Sequence, residues 1–321
     1  MGAFDEKEMR EIVRQLMAME SQITIKVDSE QEVQPLIHRL QYENMIVFHM
    51  GTVRYRFLPR KKEAILMPEY RYSKQQYEDL VTRLTAVVEK LCKSICTSQS
   101  AYERELRIHD ALCAGVTYAD DGPESHSIIG PLLHHRGVCE GIAKAAKVLL
   151  QECGIPVRVI RGVATDPHGN QEAHAWNVVQ IDGKWYHLDI TFDNTISDGE
   201  QRYDYFNLST EAISRDHAIN EEFRSLALLC DSREDYFVRA GQYFETADKL
   251  KAYLHRCVAE QREKLHVRVA PNVPTGAISG LLLQVLREQN CMATYEEQKN
   301  ALRNVYSWKI AYRTKIWGGL F

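Results

Sequence analysis

Hydrophobic residues recur along this chain of 321 residues with two different periods. Spacings of three and four residues indicate helices with one buried face, whereas strict alternation indicates half-buried strands. The helical spacing predicts helices over 5–20, 30–40, 74–96, 101–114, 139–153, 246–264 and 276–289. The alternating spacing predicts strands over 22–27, 46–58, 64–72, 157–164, 173–181, 184–191, 235–244, 265–269 and 307–316. Because both kinds of element occur throughout, we expect a mixed fold.

A polar stretch at 96–100 interrupts this pattern, and the elements restart again after residue 232. Domains usually have roughly 100–200 residues, so a chain of this length has room for more than one. We therefore expect a small N-terminal α/β module at 1–98, a middle domain at 99–232 and a small C-terminal α/β module at 233–321.

The middle domain contains a cysteine at the start of a helix. Gly137, Val138 and Cys139 introduce an amphipathic run that ends at Cys153. The first turn of a helix offers unpaired backbone N–H groups and the positive end of the helix dipole, and both favour a thiolate. The same N–H groups can stabilise an oxyanion on a carbonyl substrate. Cys139 is therefore a candidate nucleophile.

Two predicted strands downstream are joined by Asp182-Gly183, a sequence typical of a two-residue hairpin turn. If Ile181 faces Lys184, then His174 and Asp189 become diagonal neighbours on one face of the hairpin. Diagonal neighbours lie roughly 7–8 Å apart, within reach of an imidazole and a carboxylate. A shift of one residue would place the two side chains on opposite faces. The turn thus predicts a histidine–carboxylate pair.

The hairpin alone leaves two alternatives open. Asp193 is the other diagonal neighbour of His174 if the second strand continues that far, so local geometry does not distinguish it from Asp189. His187 shares the predicted face of Asp189 and is a second candidate for the base.

Four motifs of the middle domain resemble those of the transglutaminase-like superfamily. They are Val138-Cys139-Glu140-Gly141, His174-Ala175-Trp176-Asn177, Leu188-Asp189-Ile190-Thr191-Phe192-Asp193, and Tyr118 ahead of the cysteine. The resemblance extends from about residue 101 to 208, and Phe192 departs from it, since the family pattern has Trp there. It implies an α+β fold with a papain-like core, in which the helix carrying the cysteine packs on an antiparallel sheet. It also selects Asp189, because the family carboxylate is the first of the two in this motif.

The resemblance further implies acyl transfer on an amide bond by a Cys-His-Asp triad. Cys139 would attack the carbonyl, His174 would move the proton, and Asp189 would orient the imidazole. Hydrolysis, as in a cysteine peptidase or amidase, is the leading expectation. The alternatives are protein cross-linking by γ-glutamyl transfer and a non-catalytic peptide-binding module. None of these requires a metal or an organic cofactor, so we expect neither.

Several further residues are candidates for contact with a protein or peptide substrate. They are Tyr118, Glu140, Trp176 and Trp185. For the two tryptophans, the alternative to substrate contact is packing in the core or in a cleft wall. The polar loop 165–171 comes just before His174, and we expect it to cover and gate the cleft. His134 and His135 shortly precede Cys139 and either tune the cleft or form a solvated pair.

The composition excludes several functional classes. A net charge of −4, from 40 basic and 44 acidic residues, argues against nucleic acid or an anionic membrane surface as partner. Apolar runs are too short to span a bilayer and the first residues lack a secretory pattern, so we expect a cytoplasmic protein. The eight cysteines include no C-x-x-C pair, which predicts reduced thiols and no structural zinc site. The oligomeric state stays open.

Overall fold

The computed structural model describes residues 5–97, 100–166, 169–197, 199–227 and 229–313. Its mixture of helices and small sheets confirms the predicted α+β class. The chain divides into two compact units, Met1–Arg202 with Asp216–Asp231, and Tyr203–Arg215 with Ser232–Phe321. The expected division into three domains stays a prediction. No helix within the described ranges is both long and apolar enough to cross a membrane.

The first part of the first unit is a three-stranded antiparallel sheet covered by helices. Its elements are α1 (Glu6–Met17), β1 (Ile23–Lys26), α2 (Val33–Glu43), β2 (Met50–Leu58), β3 (Glu63–Tyr70) and α3 (Lys74–Ile95). The strand order is β1-β3-β2. Helices α1 and α3 both begin with a capping box, formed by Asp5 and Glu8 in α1 and by Ser73 and Gln76 in α3.

The second part of this unit contains the motifs found in the sequence. Its first elements are α4 (Ala101–Gly115), β4 (Thr117–Tyr118), β5 (Arg136–Gly137), α5 (Cys139–Glu152), β6 (Val157–Thr165), β7 (Gln171–Ile181), β8 (Lys184–Leu188) and α6 (Ile190–Thr195). After α7 (Thr210–Ile213), which belongs to the second unit, come β9 (His217–Ile219) and α8 (Arg224–Ala227). Strands β8-β7-β6-β9 form an antiparallel sheet in that order.

Helix α5 packs on this sheet, as predicted for the core. Ala143 of α5 lies against Val159 of β6 and Ala175 of β7, and the Asn177 side chain donates to the carbonyl of Ala143 at 2.9 Å. Because side chains alternate along a strand, Trp176 lies on the opposite side of the sheet, in a separate apolar cluster.

The hairpin between β7 and β8 has the predicted register. Ile181 faces Lys184, which confirms the pairing inferred from the turn. Asp182 and Gly183 have φ angles of 52° and 79°, as expected for a two-residue turn with positive φ at both central positions.

The second strand of the hairpin is three residues shorter than the predicted 184–191. Strand β8 ends at Leu188, and Asp189 is the N-cap of α6, where its side chain accepts a hydrogen bond from the backbone N–H of Phe192 at 3.1 Å. Aspartate is among the preferred N-cap residues, and this preference ends the strand. Asp189 therefore reaches His174 from a helix start.

The second unit is a four-stranded sheet with helices. Its remaining elements are α9 (Tyr236–Arg239), β10 (Tyr243–Phe244), α10 (Ala247–Ala259), β11 (Lys264–Val269), α11 (Thr275–Ile278), α12 (Leu281–Glu288), β12 (Ala293–Asn300) and β13 (Val305–Tyr312). The order is β10-β11-β13-β12, with β10 and β11 parallel and the other pairs antiparallel. Val267, Val285 and Trp308 are fully buried members of its core.

One strand prediction for this unit is wrong, and one strand was missed. The predicted strand over 235–244 is instead α9, a turn and the short strand β10, because Asp235 caps the helix by accepting from the N–H groups of Phe237 and Val238. Strand β12 was not predicted, since it lies at the sheet edge and is mostly polar. Residues 314–316 of the predicted last strand lie outside the described residues.

Candidate active site

Cys139 is the first residue of α5, and its side chain is partly exposed. The N-cap residue is Val138, whose side chain has no oxygen to accept from the N–H groups of the first turn. A helix leaves these N–H groups without intrahelical partners, so this end of α5 suits a negative charge on the sulfur or on a bound oxygen.

Close backbone contacts hold the start of α5 in place. The N–H of Val138 donates to the carbonyl of Ser125 at 3.1 Å. A Cβ atom on Gly141 would lie 2.1 Å from that same carbonyl oxygen. Only glycine allows this approach, and the contact determines where Cys139 lies.

His174 lies on β7 and is 8% exposed. Its Nε2 is 2.7 Å from Oδ2 of Asp189, which is buried. Because Nε2 is engaged by the carboxylate, Nδ1 is the ring nitrogen left for Cys139, whose hydrogen bond and charge act on the imidazole. The structure thus brings His174 and Asp189 into contact, and Cys139 acts on the same imidazole.

The electrostatics of this group favour a charged imidazole. Burial alone would lower the pKa of His174, but the Asp189 carboxylate and the contact with Cys139 outweigh it and raise that pKa to about 10. Burial would raise the pKa of Asp189, yet the two histidines beside it, His174 and His217, hold it well below its usual range. At neutral pH, an imidazolium therefore lies beside a carboxylate.

Asp193, the carboxylate that the hairpin left as an alternative, has another partner. It lies on α6, and its Oδ2 is 3.2 Å from Nε2 of His109, a buried residue of α4. It belongs to a second histidine–aspartate pair, and Asp189 is the carboxylate at His174.

His217 is the residue of this site that the sequence did not reveal. It lies on β9, and its Nε2 is 3.0 Å from the same oxygen of Asp189 that His174 contacts. Its Nδ1 is 2.6 Å from Oδ1 of Asp216. It follows Asp189 by 28 residues, outside the recognised motifs, and only the pairing of β9 with β6 brings it into the site. In the sequence, the adjacent Asp216 is the local signal for a histidine–carboxylate contact at this position.

His174, Asp189 and His217 also form a group of the type that binds metal ions, with ligand atoms within 4.8 Å of one another. In a tetrahedral zinc site with bonds of ~2.1 Å, the ligand atoms are ~3.4 Å apart. Here both imidazoles approach one carboxylate oxygen, at 2.7 Å and 3.0 Å. This spacing is that of two hydrogen bonds, in which each nitrogen donates to the carboxylate.

A buried aromatic pair supports the ring of His174. Trp176 is 1% exposed, stacks with His174 at 5.9 Å between ring centroids, and donates its indole N–H to Nδ1 of His187 at 3.0 Å. Burial, together with the charge of His217, lowers the pKa of His187 to about 3, so His187 is a neutral acceptor and not a base. The predicted substrate contact at Trp176 is corrected, because this ring has no free surface and instead supports His174.

Tyr118 and Trp185 differ in their relation to Cys139. Tyr118 is 44% exposed on β4, which pairs with the strand directly before Cys139. Burial, and then the charge of Cys139, raise the pKa of its phenol. Trp185 pairs with Gln180 near the hairpin turn and packs on an apolar cluster of the sheet. Four residues of chain, roughly 13 Å if extended, separate it from Asp189, so substrate contact is better supported for Tyr118.

Glu140 connects the helix of Cys139 to the N-terminal part of the unit. Its Oε1 accepts from Nζ of Lys144 at 2.6 Å and from the hydroxyl of Tyr42 at 2.9 Å. Burial would raise the pKa of Glu140, but these partners hold it below its usual range. Burial, and less strongly the charges of Glu140 and Cys139, raise the pKa of Tyr42 on α2. A substrate contact of Glu140 stays a prediction.

The loop over 165–171 is described in part, since Pro167 and His168 lie outside the described residues. The N–H of Asp166 donates to the carbonyl of Asn170 at 2.9 Å, and the N–H of Asn170 donates to the Asp166 carboxylate at 2.8 Å. Gating by this loop stays a prediction. His134 and His135 are both exposed, and His134 contacts Glu124 at 3.0 Å. This agrees with the alternative that the two histidines form a solvated pair.

Comparison with known families concerns this same part of the chain. Residues 89–190 match the model of the transglutaminase-like superfamily. We call residues 89–190 the transglutaminase-like core, after this similarity. The predicted resemblance is thereby confirmed, and the core includes Cys139, His174 and Asp189. No curated protein matches the chain significantly.

Three solved structures are similar to parts of this chain. One, of "a TGase", is 15% identical with a TM-score of 0.31, covering 56% of this chain and 53% of its own. Another, of "a Putative Cysteine Protease from Cytophaga hutchinsonii", is 17% identical with a TM-score of 0.28. The match covers 44% of this chain and 61% of that one. The third is a structure of menin that reveals the binding site for the Mixed Lineage Leukemia protein. It is 12% identical with a TM-score of 0.28, and the match covers 88% of this chain and 56% of that one. This chain spans less than two thirds of each, and all TM-scores are below 0.5, so these likenesses do not bear on its activity.

Proposed function

We propose that the transglutaminase-like core is a thiol enzyme that transfers an acyl group from an amide bond of a protein or peptide. Cys139 is the nucleophile, His174 the acid and base, and Asp189 the orienting group. The observation that carries the proposal is the contact of His174 with Asp189 at 2.7 Å, on an imidazole whose pKa Cys139 also raises.

In the resting state, the imidazole of His174 carries a proton. Its raised pKa, about 10, keeps the imidazole protonated at neutral pH. The start of α5 favours negative charge on Cys139 at the same time. This arrangement suits attack by the thiolate, the nucleophilic form of a cysteine.

In the first step, the thiolate of Cys139 attacks the amide carbonyl and forms a C–S bond. The C–N bond then breaks as His174 donates its proton to the leaving nitrogen, which leaves a thioester and a free amine. In the second step, neutral His174 takes a proton from water, the hydroxide attacks the thioester, and the acid and the thiolate are released. Asp189 keeps the imidazole in the required tautomer throughout.

The N–H groups at the start of α5 are placed to stabilise the oxyanion of each tetrahedral intermediate. Tyr118, which is 44% exposed and pairs with Gly137 two residues before Cys139, is a candidate second donor. Water is the proposed acceptor because it reaches the partly exposed sulfur without a dedicated site. Cross-linking, in which an amine replaces water, follows the same first step.

The test uses the full chain with denatured casein as probe. New amino groups, released ammonia and incorporated dansylcadaverine are measured separately, so hydrolysis of peptide bonds, deamidation and amine transfer are distinguished. Cys139→Ala and His174→Ala should lower every signal by roughly three orders of magnitude or more. Cys291→Ser, a change at another partly exposed cysteine, should leave all signals unchanged.

Faster dansylcadaverine incorporation than hydrolysis would assign the enzyme to amine transfer instead. Undiminished turnover in Cys139→Ala would refute the proposed mechanism. A non-catalytic peptide-binding module would bind casein peptides equally with and without Cys139 and release nothing.

A further inference from the structure

Three cysteines meet where α3 and α5 end. Cys96 is the C-cap of α3, and Cys92 lies one turn earlier on the same helix. Cys153 is the C-cap of α5. The sulfurs of Cys96 and Cys153 are 2.6 Å apart. This cluster lies at the opposite end of α5 from Cys139, so the acyl-transfer chemistry does not use it.

The three thiols differ in environment. Cys96 is exposed, whereas Cys92 and Cys153 are each 6% exposed. The sulfur of Cys92 lies 3.9 Å from the carbonyl oxygen of Leu149 inside the α3–α5 contact. Burial raises the pKa of both Cys92 and Cys153, so these two remain neutral thiols at neutral pH. Of these three thiols, an oxidant from solvent therefore meets Cys96 first.

We propose that Cys96 and Cys153 are a redox pair that a peroxide converts to a reversible disulfide. Bonded sulfurs are ~2.05 Å apart, so the observed contact requires only a small movement to form the bond. Cys96 and Cys153 are 57 positions apart in the chain, and their bond would tie α3 to the helix that carries Cys139.

The chemistry balances with a peroxide as the oxidant. The sulfur of Cys96 attacks the O–O bond, which breaks, and yields a sulfenic acid and one water or alcohol. The sulfur of Cys153 then displaces the hydroxyl from Cys96 and loses its proton, which forms the S–S bond and one water. The two sulfurs lose two electrons in total, and the peroxide gains them.

The test reads the bond itself and not activity. Full-length protein in a Cys139→Ser background, which removes the candidate nucleophile, is treated with hydrogen peroxide, blocked with iodoacetamide and digested without reductant. We expect a cross-linked peptide pair that contains Cys96 and Cys153 and that dithiothreitol separates. The oxidised protein should melt roughly 5–10 °C above the reduced protein, because the bond closes a long loop of the unfolded chain.

Cys92→Ser is the matched control, one turn away on the same helix, and it should still form the cross-link. Cys96→Ser changes an exposed residue, so the fold should persist while both the cross-link and the gain in melting temperature disappear. The proposal fails if peroxide takes Cys96 only to sulfinic or sulfonic acid. It also fails if the cross-link joins Cys92, or if Cys96→Ser gains the same thermal stability on oxidation.

Discussion

His174 has two ring nitrogens, and the structure assigns them to different partners. Nε2 lies 2.7 Å from Asp189, and Nδ1 is left for Cys139. The hairpin register predicted from Asp182-Gly183 placed a carboxylate near His174 but left Asp189 and Asp193 equivalent. The difference arises because Asp189 ends the strand as a helix cap, which turns its side chain toward the histidine.

Replacement of Asp189 by Asn should lower the pKa of His174. The Asp189 carboxylate is the largest of the influences that raise this pKa to about 10, so without its charge the pKa should fall by about 2 units or more. NMR titration of the His174 ring protons measures this directly. Turnover should fall by roughly two to four orders of magnitude as well.

Asp193→Asn is the matched control for this experiment, since Asp193 bonds His109 instead. It should leave the His174 titration where it is in the wild type. An equal shift in both variants would mean that Asp189 has no special role.

Replacement of His217 by Phe should move the same pKa in the opposite direction. His217 donates to the Asp189 oxygen that also holds His174, at 3.0 Å. A hydrogen bond to a charged group contributes ~1.5–3 kcal/mol. Without the bond from His217, the Asp189 carboxylate interacts more strongly with the imidazolium of His174. The His174 pKa should therefore rise by about one unit in the same titration. No change, or a fall, would show that His217 only fills space.

Among the elements, those specified by local sequence were predictable and those specified by distant contacts were not. The start of α5 at Cys139 and the turn at Asp182-Gly183 follow from neighbouring residues. Strand β9, which supplies His217, has three residues and pairs with β6, far away in the sequence. Strand β12 has a polar sequence and acquires its structure from pairing with β13.

Replacement of Gly141 by Ala should destabilise the start of α5. The new Cβ would lie 2.1 Å from the Ser125 carbonyl oxygen, so the backbone must move and Cys139 with it. We expect a loss of roughly 2–4 kcal/mol in the free energy of unfolding, measured by urea denaturation, and a lower kcat/KM. Gly115→Ala is the control, because nothing lies within 4 Å of the Cβ position there. Equal stability of the two variants would contradict this account of the contact.

At the scale of the whole molecule, long-range polar contacts bring together parts that the sequence pattern separated. Lys147 of α5 is 2% exposed and donates to the carbonyls of Tyr42 and Glu43, at 2.8 Å and 3.2 Å, at the end of α2. In the second unit, Asp204 contacts His266 at 3.2 Å and so joins residues 203–215 to the C-terminal sheet. Periodicity does not indicate such contacts, because they depend on single side chains far apart in the chain.

The stability of the whole chain should fall in mild acid because His187 is buried as a neutral ring. Its pKa is about 3 in the folded protein, against an ordinary value of 6.5. Between these values the unfolded chain binds a proton that the folded chain does not, so the free energy of unfolding decreases as the pH falls from 6.5 to 3. The contribution is on the order of 4 kcal/mol.

His187→Asn isolates this contribution, since the asparagine oxygen can still accept from the Trp176 indole but does not titrate. Urea denaturation at a series of pH values should show a smaller acid loss in His187→Asn than in the wild type. Parallel stability curves would show that His187 is not the group responsible.

Activation of Cys139 by His174 is tested by alkylation with iodoacetamide under reducing conditions. The rate at each cysteine is measured by peptide mass spectrometry. Cys139 should react at least tenfold faster than Cys96, which is the more exposed thiol, because the imidazolium of His174 stabilises the attacking anion. This advantage should decrease on acidification and disappear in His174→Ala. A Cys139 that reacts no faster than Cys96, or whose rate is unaffected by loss of His174, would contradict the account.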